Sequence, residues 1–255
     1  MTTTAAPPQP TVAPARTHAV RSMSYSRFRD WTLTQLASTL ARTSRALWYV
    51  ESMALSGRYL QWIEAADWAS GSKRYSDRVA LWRHGLEPRL RDAPTAVLEF
   101  GVADGVATRW WAERNISFTE WHGFDTFEGL PTEWTRADVP VMVRGAFKPE
   151  SAGGGPPPFL LPYPSVWHKG LIEQTLPPFT RPDSRLLIFI DVDLLAPAQT
   201  VMGWLREHGR PGDLVYFDEA ADPWNEGLVI RRSLTEGPRF RAVAHTAMAL
   251  LIELL

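Results

Sequence analysis

The chain has 255 residues, 45% hydrophobic and 22% charged, with a formal net charge of −1. Those values describe a globular protein long enough to bury a sizeable core. It contains no cysteine, which excludes disulfides, thiolate metal sites and cysteine nucleophiles. No apolar run approaches the roughly 20 residues that cross a bilayer. The amino-terminal MTTTAAPPQPTVAPARTHAV has no apolar signal core, so the expected setting is cytoplasmic.

That Pro-, Thr- and Ala-rich beginning cannot build a core, and residues 1–22 are expected to be a disordered tail. Basic residues outnumber acidic ones over the first 95 positions, but no arginine cluster or RNA-binding signature occurs. A helical surface is expected there, with no nucleic-acid partner. Phe28, Trp31, Leu36, Leu40, Leu47, Val50 and Leu55 recur at near-helical spacing, which predicts helix over 24–68. Gly57 and Ala69-Ser70-Gly71 interrupt it, and a further helix is expected at Tyr75–Leu90. Residues 23–94 thus read as a helical cap ahead of a second region at 95–255.

From Thr95 the pattern alternates strand and helix, as in a parallel sheet covered on both faces. Strands are expected at Ala96–Phe100, Trp121–Asp125, Ser165–Lys169, Leu186–Asp191, Asp213–Phe217, Arg239–Thr246 and Met248–Leu254. Helices are expected near Val106–Arg114, Gly170–Thr175, Pro197–His208 and Gly227–Thr235. The last two strands have no helix between them, so they should form an antiparallel hairpin at one edge. The long Gly/Pro-rich connection at 145–164 reads as a lid over a ligand cleft.

The first strand runs into Glu99-x-Gly101-x-x-x-Gly105, and the next ends on Asp125. A glycine turn at one strand tip and an acid at the next suit a nucleoside-bearing cofactor. A dinucleotide site prefers G-x-G-x-x-G with pyrophosphate on the helix N-terminus. Here Val102-Ala103 replace the second glycine, and Asp104 adds negative charge. S-adenosylmethionine carries a sulfonium and an ammonium instead of phosphate, so Glu99 and Asp104 favour it. Asp125 would receive the ribose hydroxyls.

A second constellation is Ile188-Phe-Ile-Asp191-Val-Asp193-Leu, followed by Leu214-Val-Tyr-Phe-Asp218-Glu219. On adjacent strands, Asp191, Asp218 and Glu219 would converge as oxygen ligands for Mg²⁺. The ion would hold and acidify an acceptor hydroxyl, with Asp193 beside it to take the proton. Asp193 as a helix cap, and Asp218-Glu219 as solvated strand-end acids, are the plainer alternatives. His168 and His245 are secondary candidate bases, and Trp224 and Asn225 are candidates for the acceptor pocket.

The segments EFGVADGVATRWWAER, HGFDTFEGLPTEW, GAF, KGLIEQTLPPF, FIDVDL and FDE occur in the order found in the macrocin O-methyltransferase family, which this chain resembles over about 97–234. The resemblance implies a doubly wound, seven-strand Rossmann-like α/β methyltransferase sheet. It also implies adenosylmethionine at Glu99, Gly101, Gly105 and Asp125, Mg²⁺ at Asp191, Asp218 and Glu219, and Asp193 as base. The acceptor it implies is a sugar hydroxyl of a glycosylated natural product, and the assembly a homodimer through the helices that precede the sheet. A metal-independent O- or N-methyltransferase, a non-catalytic cofactor-binding subunit and a dinucleotide oxidoreductase are the other readings.

Overall fold

The structure is a computed structural model that describes residues 23–40, 44–114, 116–137, 139–150 and 155–255. The expected tail and positions 151–154 of the long loop lie outside the described residues. In chain order the elements are α1 (Met23–Leu40), α2 (Ser44–Glu64), β1 (Lys73–Arg74), α3 (Arg78–Leu81), α4 (Glu87–Leu90), β2 (Thr95–Phe100), α5 (Val106–Ala112) and β3 (Trp121–Asp125). Then come β4 (Trp134–Arg136), β5 (Val139–Met142), β6 (Ser165–Lys169), α6 (Ile172–Thr175), β7 (Arg185–Ile190), α7 (Leu195–His208), β8 (Leu214–Phe217), α8 (Glu226–Glu236), β9 (Phe240–His245) and β10 (Leu250–Leu254). The chain divides into two compact units, Met1–Glu51 and Ser52–Leu255.

Within the second unit, eight strands form one sheet in the order β1-β9-β10-β8-β7-β2-β3-β6. Every pairing is parallel except those of β10, which runs antiparallel to both β8 and β9. The turn after β9 is too short for a crossover, so β10 must reverse direction. Thr246 fixes that turn, its Oγ1 accepting from the N–H groups of Met248 and Ala249 at 3.0 and 2.8 Å. The sheet exceeds the expected seven strands by β1. A two-residue polar strand carries no hydrophobic period, so periodicity could not announce it.

Alternation along the strands sends side chains to two cores. Ala96, Leu98 and Phe100 of β2 join Leu186, Ile188 and Ile190 of β7 beneath α6, α7 and α8. Val97, Leu187 and Phe189 point the other way, onto Leu81, Trp82, Leu86, Leu90 and Trp111 of the α3–α5 side. Helices on both faces make the sheet doubly wound. Residues 52–94 belong to this body, since Tyr59 and Ile63 of α2 are buried in the first core.

Between α3 and α4 the helix widens to a π-turn at Trp82–Leu86, with the Glu87 N–H donating to the Trp82 carbonyl. Pro88 follows and lacks an N–H for the ordinary ladder, which accounts for the local widening. A separate antiparallel ribbon, β4–β5, lies outside the main sheet. Its Trp134 packs with Leu130 and Leu194, the residue next to Asp193.

Candidate active site at the strand tips

The parallel strands β2, β3, β7 and β8 end on one edge, and the candidate residues follow their tips. Gly101 continues β2 with φ +86°, and a Cβ there would lie 1.8 Å from the Asp191 carbonyl oxygen. Only glycine tolerates both the left-handed backbone and that approach. The tips of β2 and β7 are pressed together as a result, and Asp191 N–H donates to Phe100 O at 3.0 Å. Gly105, at φ +70°, forms the N-cap of α5. A Cβ there would meet Pro157 at 2.8 Å and Phe159 at 2.9 Å, so the long loop lies directly on the turn.

Asp125 occupies the tip of β3 as expected. Its Oδ2 accepts from the N–H groups of Val102 and Ala103 at 2.8 and 2.9 Å, and its Oδ1 from Phe127 at 2.6 Å. The carboxylate therefore ties β3 to the glycine turn, and Oδ1 retains acceptor capacity for a hydroxyl. Asp104 is exposed on the turn and accepts from the Glu150 N–H at 3.2 Å. Ala103, Phe127 and Asp193 all have positive φ, at 47°, 55° and 58°. Strain of this kind, held at three neighbouring strand tips, is typical of a functional edge.

Glu99 is placed otherwise than its pattern suggested. Its side chain points into the core below α5, where Oε2 accepts from Thr108 Oγ1 at 2.5 Å and Trp121 Nε1 at 2.9 Å. Burial raises its pKa to about 8, against the pull of those two donors. The carboxyl braces the glycine turn from beneath and does not reach its open face. The alternation that aims Leu98 and Phe100 at one core sends Glu99 to the opposite face. An open hollow of about 490 Å³, lined by Asp104, Val106, Arg109, Trp110, Glu113 and Glu150, lies on the outer side of α5, apart from the β7 and β8 tips.

At the tips of β7 and β8 the structure gathers Asp191, Asp193, Asp218 and Glu219, and adds Asp222 and Glu226. Burial is the first cause of every upward shift among them. Asp193 rises to about 7 with Asp218 adding to the shift and Arg136 opposing it, and Glu219 rises to about 8. Asp191 and Glu226 also lie well above the usual carboxylate range. Glu226 is fully buried, and accepts from the N–H groups of Val192 at 3.2 Å and Glu219 at 3.0 Å. It clamps the two tips together.

The expected Mg²⁺ site at Asp191, Asp218 and Glu219 is not supported. Among the described residues no group of three or more acidic or histidine side chains is arranged to hold a metal ion. The Asp218 and Glu219 oxygens face protein donors instead. Asp218 accepts from Tyr216 Oη at 2.6 Å and from Arg78 Nη1 at 3.1 Å. Glu219 accepts from Arg136 Nη2 at 3.4 Å. A cation at this site would have to displace both arginines.

The remaining candidates are placed as follows. Asn225 is buried and donates to Thr135 O and Asp222 Oδ2, both at 3.1 Å, so it fastens the ribbon rather than lining open space. The Trp224 N–H donates to Asp222 Oδ1 at 2.9 Å. His168 stacks on Phe124 with ring centroids 4.2 Å apart, and pairs with His122 at 3.1 Å. His245 meets Ser72 at 3.1 Å beside β1. Neither ring joins the acidic cluster. Arg78, Arg136, Tyr216, Asp222 and Glu226 were not expected; of these, Tyr216 stood inside the Leu214–Glu219 motif, and Asp222 and Glu226 follow it closely in the sequence.

No protein-family model and no curated protein matches the sequence. Among solved structures, the calicheamicin methyltransferase CalS11 superposes with a TM-score of 0.53 at 20% identity, over 78% of this chain and 91% of that one. The chain shares the Rossmann-like methyltransferase fold. Two further structures align at TM-scores of 0.43 and 0.42: the O-methyltransferase NovP (15% identity, 78% of this chain, 98% of that one) and the O-methyltransferase TomG from Streptomyces achromogenes in complex with SAM (17% identity, 80% and 89%). In a methyltransferase fold of this kind, ligands bind outside the carboxyl ends of the strands. Both the glycine turn and the acidic cluster lie at that edge.

Proposed function

We propose that this chain is an S-adenosylmethionine-dependent O-methyltransferase acting on a hydroxyl of a small specialised metabolite. One observation carries the reading. Asp193 holds a half-buried carboxyl on a left-handed backbone at the β7 tip, in the field of the buried Arg136 guanidinium. Arg136 adds a complementary group to the same cluster, since its Nη1 is buried without a partner among the described residues. A buried polar group kept unmatched at a ligand edge is costly unless a ligand satisfies it. An alcohol answers both needs, because its oxygen accepts from a guanidinium while its proton passes to a carboxylate. A protonated amine would answer only one. The likeness of HGFDTFEGLP and TLPPF to the macrocin family points to a sugar hydroxyl.

The glycine turn fits this cofactor. It combines two left-handed glycines, an exposed acid at Asp104 and spare acceptor capacity on Asp125. When bound, S-adenosylmethionine supplies an electrophilic methyl group. The protein has three tasks. Asp125 and the Val102-Ala103 amides shape the nucleoside end, the loop over Gly105 excludes water, and Asp193 takes the acceptor proton. Transfer is then mainly a matter of alignment and deprotonation.

Isothermal calorimetry with S-adenosylmethionine and with NAD tests the cofactor, and heat with NAD alone would refute the reading. Transfer of labelled methyl to a panel of glycosides tests the activity. Asp193→Asn should keep cofactor binding and lose transfer.

A further inference from the structure

Arg136 leaves the β4–β5 ribbon and is 1% exposed. Its Nε donates to Asp222 Oδ2 at 3.0 Å and its Nη2 to Glu219 Oε2 at 3.4 Å. Trp134 of the same ribbon donates to Asp222 Oδ2 at 3.3 Å, which fixes the guanidinium against the cluster. From the opposite side, Arg78 opens α3 and donates through Nη1 to Asp218 Oδ2 at 3.1 Å. Two cations from distant parts of the chain thus meet the acids at the β7 and β8 tips. The Arg136 charge also acts on Asp193.

We propose that Arg78 and Arg136 supply the positive charge that a divalent cation would bring to this site, so that its acids are compensated without bound metal. The inference builds on the methyl-transfer reading but is tested apart from it. A divalent ion at such a cluster has two tasks: to offset several carboxylates and to stabilise charge growing on the acceptor oxygen. A guanidinium does both through fixed donors, at a permanent charge no pH near neutrality removes. The occupied oxygens of Asp218 and Glu219 also oppose a bound ion, since Mg²⁺ demands near-octahedral oxygens about 2.1 Å away. During transfer the acceptor O–H bond breaks with its proton on Asp193. The oxygen pair forms the new C–O bond, and sulfur keeps the pair of the broken C–S bond.

The test is Mn²⁺ binding to the full chain, followed by electron paramagnetic resonance without cofactor. The wild-type protein should leave the free-ion signal unchanged up to about 1 mM Mn²⁺. Arg78 is exposed, so Arg78→Ala should fold, and with Asp218 released it should bind Mn²⁺ at least about tenfold more tightly. Arg136→Met should add to that gain, with folding checked by circular dichroism; if it fails to fold, the wild-type and Arg78→Ala titrations decide. One Mn²⁺ per wild-type chain at submillimolar affinity, lost in Asp191→Asn, would overturn the proposal, as would a folded Arg78→Ala that gains nothing. A failure to bind S-adenosylmethionine would instead refute methyl transfer, and would leave the Mn²⁺ comparison intact.

Discussion

The buried carboxyl of Glu99 offers a quantitative test of how the glycine turn is supported. In the folded protein burial raises its pKa to about 8, and in the unfolded chain it returns to the ordinary 4.5. Between those values the unfolded chain has lost a proton that the folded chain keeps, so stability falls as pH rises. Each pH unit costs about 1.4 kcal/mol, and the interval amounts to roughly 5 kcal/mol, complete above the folded pKa. Glu99→Gln keeps the shape and an acceptor oxygen for Thr108 and Trp121 but cannot ionise. Urea unfolding of both proteins, followed by tryptophan fluorescence from about pH 5 to about pH 9, gives the difference in stability at each pH. Asp193, Glu219 and the other shifted groups are common to both and cancel. The variant should gain up to roughly 5 kcal/mol relative to the wild type across that range. Parallel curves would show that Glu99 is ionised where it lies, and that its burial is not as described.

Three further outcomes follow from the same geometry. Gly101→Ala places a Cβ against the Asp191 carbonyl at φ +86°. It should cost about 3 kcal/mol or more in urea unfolding, and a loss under about 1 kcal/mol would contradict the packing of the two tips. Asp193→Asn should lower methyl transfer by about 10²–10⁴-fold at nearly unchanged cofactor affinity. In the wild type, kcat/KM should rise through about pH 7 as Asp193 becomes a base, and a flat profile across that range would remove it from the role. Asp125→Ala frees the Val102 and Ala103 amides and should weaken S-adenosylmethionine binding by about tenfold in calorimetry, whereas an unchanged affinity would assign Asp125 to the turn alone.

The parts of the fold legible in the sequence were those in which one period governs burial. The run Leu186–Ile190 marked a strand covered on both faces, and the two glycines of the turn were visible because their backbone excludes other residues. Strand tips were therefore locatable, and with them Asp125, Asp191, Asp193 and Asp218. What a tip residue touches was much less legible. Glu99 and Gly101 are two residues apart, yet the first faces a core and the second a carbonyl. Arg136 is a single cation in TEWTRAD whose partners lie more than 80 positions later, and no local pattern encodes so distant a pairing. The metal expectation is left without support for that reason: the acids could be counted from the sequence, but the arginines facing them could not.

The fastening of the β4–β5 ribbon has a consequence for engineering the acceptor side. Trp134, Thr135 and Arg136 are joined to Asp222 and Asn225 by hydrogen bonds, and the Arg136 and Asp222 side chains are buried. A graft that replaced the ribbon alone would take the Arg136 and Trp134 donors from the buried Asp222 carboxylate, a change that typically costs several kcal/mol. The two segments should therefore vary as a pair, and recombination that splits them should yield insoluble protein before it yields a new specificity.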